Sequence, residues 1–125
     1  IEAAKSWSIW EASTSKLLQT KKALHSLDND KVADAFARIE CHYFINNGFF
    51  ETDNWLIENV DKIQDIPIEI VQGRYDVVCP MVSAWELHRR LPNAGFHVIS
   101  DSGHSMTEPG IRSKLIELTD RYANV

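Results

Sequence analysis

Residues 66–100 read IPIEIVQGRYDVVCPMVSAWELHRRLPNAGFHVIS, and the grammar of this stretch decides the fold. IPIEIVQ (66–72) is a short β-branched run closed by Gly73, PMVSAWELHRRLP (80–92) is a helix opened and ended by proline, and FHVIS (96–100) is a second strand. IRSKLIELTDRYA (111–123) follows as a closing amphipathic helix. Strand, helix, strand, helix is the order of an α/β protein with a parallel sheet. Two strands are too few for such a sheet, because parallel sheets are covered on both faces and their strands need neighbours. Both strands are therefore expected to belong to a larger sheet, with the remaining strands upstream of Ile1.

Before Pro67 the text is helical. Trp7, Trp10, Leu17 and Leu18 recur at near-helical spacing, and after the SLDND break (26–30) a second periodic run carries Val32, Phe36, Ile39 and Tyr43. NNG (46–48) is expected to end that helix in a left-handed turn. A third helix is expected over Trp55 to Ile63, with N-cap candidates in ETDN (51–54). The chain divides on this reading into a helical segment, 1–64, and a β-α-β-α segment, 65–125. Its first residue is Ile1 rather than Met, inside a helical pattern, so a piece of a longer protein is expected.

Composition narrows the classes. With 44% apolar and 25% charged residues the chain is ordinary globular material. Thirteen Lys and Arg against eighteen Asp and Glu leave a net charge of −5, and the basic runs, Lys21-Lys22 and Arg89-Arg90, are only two residues long. That argues against nucleic acid or an anionic membrane as partner. No apolar run nears the roughly 18 residues of a membrane span, and no signal peptide pattern is seen, so a cytoplasmic location is expected. Cys41 and Cys79 lie in unrelated contexts and are read as free thiols. His25, His42, His88 and His97 show no ligand spacing, and no metal is assigned.

Chemistry in an open α/β sheet sits on loops beyond the carboxyl ends of the strands. Two such loops exist here. GRYDVVCP (73–80) carries Asp76 four residues past the first strand, and DSGHS (101–105) carries His104 four residues past the second. Their separation, 104 − 76 = 28 residues, is what one crossover helix requires. Adjacent parallel strands would bring the carboxylate and the imidazole together across about one strand spacing of 4.8 Å. Such an Asp holds the ring in one tautomer and stabilises the imidazolium that forms when the histidine takes a proton. Taken singly, each residue has a plainer reading, Asp76 as a turn former and His104 as a structural histidine. Ser105 lies in GHSMT (103–107), one residue short of a G-x-S-x-G nucleophile elbow, because Thr107 stands where the sharp turn needs a second small residue. Ser105 is therefore read as the residue after the histidine and nothing more.

The stretch from Ile66 to Ser105 resembles the end of the α/β-hydrolase core of proline iminopeptidases, in which a GRYD-x-x-x-P segment and a SGHS segment carry the triad acid and histidine. KSWSIWEASTSKL (5–17) and ARIECHYFINNGFF (37–50) are similar to two helices of that family's cap domain. The resemblance runs from about Lys5 to Tyr122 and implies an incomplete α/β-hydrolase fold, with a cap portion ahead of the β-α-β-α unit. It implies release of unblocked N-terminal proline from peptides through a serine acyl-enzyme, without metal or cofactor. Asp76 and His104 match the acid and the base, Glu11 and Glu40 match glutamates that bind the substrate's amine, and Cys79 matches a position beside the proline ring. Ala12 departs from the glycine expected after the cap glutamate, and neither the serine elbow nor the Gly-rich oxyanion segment occurs in these 125 residues. Trp7, Trp10, Phe44, Phe49, Phe50 and Trp55 are expected mostly in the core, a few of them roofing the pocket. Partners on this reading are the peptide substrate, the missing N-terminal half and further copies of the chain. The competing readings are another capped hydrolase, such as an esterase or epoxide hydrolase, and a non-catalytic binding module.

Overall fold

The computed structural model describes residues 1–18 and 29–123. His25, Lys21-Lys22 and most of the SLDND break lie outside the described residues. The chain forms two units, one of Ile1–Thr14 with Leu18–Trp55 and one of Ser15–Leu17 with Leu56–Val125.

In the first unit, α1 (Glu2–Thr14) packs against α2 (Asp30–Ile45). The side chain of Asn29 caps α2 by accepting the N–H groups of Lys31 and Val32, donors that the helix itself cannot satisfy. Lys5 reaches Asp30 from α1, Nζ to Oδ1 at 2.5 Å. That hydrogen bond, with the accompanying charge, holds the Asp30 carboxyl below its ordinary value. The face of α2 that is buried is Ala33 and Ala37, whose small side chains permit close helix approach. The periodic residues Val32, Phe36, Ile39 and Tyr43 are all exposed, at 41% to 59%. Helical period was legible, but it marks a stripe that stays exposed in the described structure.

The aromatic residues correct the expectation of a core in the same way. Trp10, Phe44, Phe49 and Phe50 are exposed, and Trp7 and Trp55 are half-buried. All but Phe49 make ring contacts with one another. Trp7 lies 5.3 Å from Trp10 and edge-on to Phe44 at 6.3 Å, while Phe50 stacks on Trp55 at 5.4 Å between centroids. Helix α1 stops at Thr14, short of Leu17 and Leu18, where the hydroxyls of Ser13 and Thr14 turn back onto the carbonyls of Trp10 and Glu11. After α2, Asn47, Gly48 and Phe49 take φ values of 50°, 63° and 63°, the left-handed turn expected of NNG extended by one residue. Phe49 adopts that conformation at a cost of about 1–2 kcal/mol. Its ring packs edge-on against Tyr43 at 5.4 Å.

The helix expected over Trp55–Ile63 is two short turns, α3 (Trp55–Glu58) and a 3₁₀ turn (Val60–Ile63), separated at Asn59. The second unit then builds a parallel pair, β1 (Glu69–Gly73) beside β2 (Gly95–Ile99), with Glu69 opposite Gly95 and Gly73 opposite Ile99. Strand β1 starts later than Ile66 because Pro67 has no N–H to give a ladder. The crossover is α4 (Met81–Arg90), preceded by Pro80 and ended where the Leu91 N–H bonds the carbonyls of Leu87 and His88. Helix α5 (Pro109–Tyr122) opens with proline at its first position. Val60, Leu91 and Ala94 form the core of this unit with Ile68, Ile70 and Leu87 against them, and α5 buries Ile111 and Leu118. Among the described residues no strand joins β1 and β2, and Val98 on β2 is 40% exposed. No described helix is long and apolar enough to cross a membrane.

Candidate active site at the strand ends

The register puts the ends of the two strands level, Gly73 opposite Ile99, so Asp76 lies three residues and His104 five residues beyond the ladder. Pairing continues past the strands. The N–H of Arg74 bonds Ile99 O at 2.9 Å and the N–H of Tyr75 bonds Ser102 O at 3.0 Å. The two loops touch at glycines, and a Cβ on Gly73 would stand 1.8 Å from the carbonyl oxygen of Gly103. Only an absent side chain allows that approach, which brings Asp76 under His104.

Asp76 Oδ2 lies 2.9 Å from His104 Nδ1. The Asp76 side chain is 6% exposed and that of His104 38%. The other oxygen, Oδ1, accepts the N–H groups of Val78 at 3.0 Å and Cys79 at 2.8 Å. Gln72 adds a fourth donor, with Nε2 3.4 Å from Oδ2, while the same amide bonds Cys79 O at 3.1 Å. Asp76 is thus both the turn former and the partner of the histidine, and the two readings of it are compatible. The carboxylate is held at every lone-pair direction that matters, and its bond to Nδ1 places the ring proton there. Nε2 is left as the proton-accepting nitrogen. Ser105 is engaged locally, its Oγ 2.9 Å from Thr107 Oγ1 and accepting the Thr107 N–H.

The other residues singled out in sequence fall in different places. Cys79 is an exposed thiol on the Asp76 turn, outside any disulfide. Glu40 lies on α2, half-buried, and accepts Trp7 Nε1 at 2.5 Å. Glu11 lies half-buried on α1. The helices carrying these two glutamates pack together. Among the described residues no cluster of three or more His, Cys, Asp or Glu is arranged to hold a metal ion. His97 instead meets Glu69 across the strands, Nε2 to Oε2 at 2.7 Å.

Three contributors escaped the sequence reading. Gln72 orients the acid from inside β1, Gly73 admits the second loop, and Glu108 is a buried carboxylate bonded to the N–H of Gly103 at 2.8 Å. Gln72 and Gly73 stand in the strand-end segment already singled out, so proximity to Asp76 was an available signal. Glu108 reads in sequence as an ordinary residue before a helix-opening proline. Its second partner, the Leu17 N–H at 3.1 Å, is 91 residues away.

No protein-family model matches the chain. Individual relatives match it closely. It is 59% identical over 120 residues to the probable proline iminopeptidase of Leptolyngbya boryana, covering 96% of this chain and 37% of that one. It is 48% identical over 119 residues to the proline iminopeptidase of Arabidopsis thaliana, covering 95% and 31%, and 39% identical over 121 residues to that of Neisseria gonorrhoeae, covering 96% and 37%. The aligned part is nearly the whole of this chain and about a third of each relative. In sequence and in its β-α-β-α unit, the chain is therefore a proline iminopeptidase homologue of the α/β-hydrolase type, corresponding to a portion of that family's length.

Proposed function

We propose that this chain is the part of a serine-type aminopeptidase that supplies the acid and base of a triad and the carboxylates that bind an N-terminal proline. The observation that carries the reading is the pair Asp76 Oδ2 and His104 Nδ1 at 2.9 Å, with the acid buried and the imidazole accessible. In this reading His104 Nε2 takes the hydroxyl proton of a serine as its oxygen attacks the carbonyl carbon of the prolyl bond. The imidazolium then returns that proton to the leaving amine, and Asp76 stabilises the charge between the two steps. The serine and the oxyanion donors come from the part of the parent protein outside these 125 residues. No metal or cofactor is invoked.

Residues 1–64 are the cap portion and 65–125 the core portion in this proposal. Glu11 and Glu40 receive the charged secondary amine of the substrate. Trp7 supports that role for Glu40 by fixing one carboxylate oxygen, since a carboxylate has acceptor capacity beyond one bond. Cys79, whose backbone is tied to Asp76, stands beside the pyrrolidine, where a bulky thiol reagent would exclude substrate.

The test uses the full-length parent and three amides: unblocked proline, unblocked alanine and N-blocked proline. Selective cleavage of the first, abolished in His104→Ala, is expected. Equal cleavage of blocked and unblocked substrates would favour an esterase-like hydrolase, and undiminished activity in His104→Ala would reject the base.

A further inference from the structure

The loop that carries His104 is held from behind by groups the proposed chemistry does not use. Glu108 is only 7% exposed and occupies the cap position of α5, yet its side chain makes no capping bond to that helix. Both oxygens are spent elsewhere. Oε1 accepts the N–H of Gly103 at 2.8 Å and Oε2 accepts the N–H of Leu17 at 3.1 Å. Beside it, the carbonyl of Ser15 accepts the N–H groups of His104 at 3.0 Å and Ser105 at 2.8 Å. Three successive backbone donors, Gly103, His104 and Ser105, are thus fastened to the 15–17 segment and to the carboxylate that ties that segment down. Burying a carboxylate is costly unless donors surround it, so a residue with no task here would be cheaper as a neutral side chain.

We infer that Glu108 is a positioning residue for His104: with Ser15 it fixes the backbone N–H groups of residues 103–105 while Asp76 fixes Nδ1, so that the imidazole is oriented through both its backbone and its ring. The inference rests on the reading of His104 as the base. A carboxylate suits the position because it accepts at both ends without donating. Glutamine has one acceptor oxygen and would set its NH₂ against one of the two N–H groups, and alanine would remove the acceptor of both, leaving the buried Gly103 N–H without it. The reach of the effect is short, and a displacement of about 1 Å at a reacting group costs on the order of a hundredfold in rate.

The experiment measures kcat and KM of the full-length parent on an unblocked proline amide for Glu108→Gln and Glu108→Ala, each alone and combined with His104→Ala, with thermal melting of every variant. Expected are a fall in kcat of about tenfold for Glu108→Gln and about a hundredfold for Glu108→Ala, with KM within about twofold of the parent. In the His104→Ala background neither substitution should lower the residual rate further, since there is no imidazole left to misplace. An unchanged kcat in folded Glu108→Gln, an equal further loss on top of His104→Ala, or failure of Glu108→Gln to fold would each overturn the inference. If His104→Ala itself kept full activity, the base assignment would fall instead, which separates the two failures.

Discussion

Replacing Asp76 by asparagine changes one oxygen to an NH₂ and tests the site at its tightest point. The side chain can be placed two ways. If the amide nitrogen faced the loop, the N–H groups of Val78 and Cys79, now 3.0 and 2.8 Å from Oδ1, would both lose their acceptor. The acid side chain is 6% exposed, so the lost acceptor is not replaced from its own side, and each lost bond costs about 1–3 kcal/mol, least at the exposed Cys79. That orientation keeps only the 3.4 Å contact from Gln72 Nε2, so the oxygen stays with the loop by a net preference of about 1–3 kcal/mol, and the NH₂ is presented to His104 Nδ1. Nδ1 must then accept, which moves the ring proton to Nε2, the nitrogen that has to take the serine proton. The expected loss in kcat is about 10³ to 10⁴, the order associated with the wrong tautomer in a Ser-His-Asp triad. Proline-amide hydrolysis by the full-length parent reads the rate, and a thermal melt reads the fold. A folded Asp76→Asn variant within about tenfold of the parent kcat would refute the reasoning, because the loop would then not dictate the orientation of the amide.

Other perturbations follow from the same geometry. Gly73→Ala sets a Cβ 1.8 Å from Gly103 O, far inside the roughly 3.5 Å of a favourable carbon contact, so the two loops must part; the full-length parent should melt lower by the equivalent of about 1–3 kcal/mol and lose kcat, and an unaltered melt with full activity would contradict the close approach. Glu11→Gln and Glu40→Gln should each slow cleavage of an unblocked proline amide by roughly tenfold to a hundredfold while sparing a neutral ester, whereas equal losses on both substrates would indicate damage to α1 and α2 rather than loss of an amine site. The 125-residue chain alone, with Phe36, Ile39 and Val98 exposed at 41%, 59% and 40%, is expected to self-associate at tens of micromolar and to show no turnover; a stable monomer in sedimentation, or measurable peptidase activity, would count against the proposed division of the site.

Much of this protein was legible without coordinates, for local reasons. The change from helical period to short β-branched runs at Pro67 marks the β-α-β-α unit, since proline, glycine and branched side chains restrict the backbone wherever they stand. The partnership of Asp76 and His104 was legible for a related reason, because parallel strands joined by one crossover leave equivalent loops side by side. Tertiary structure alone decided what depends on contacts between distant residues. It assigned the buried face of α2 to Ala33 and Ala37 rather than to Val32, Phe36, Ile39 and Tyr43, because apolar period shows that a face exists and not which neighbour covers it. It put Gly73 against Gly103, where two backbones meet within the space of one methyl group. It also joined Glu108 to Leu17, a hydrogen bond across 91 residues for which local sequence carries no term, because nothing near either residue constrains the other until the sheet has brought their backbones together.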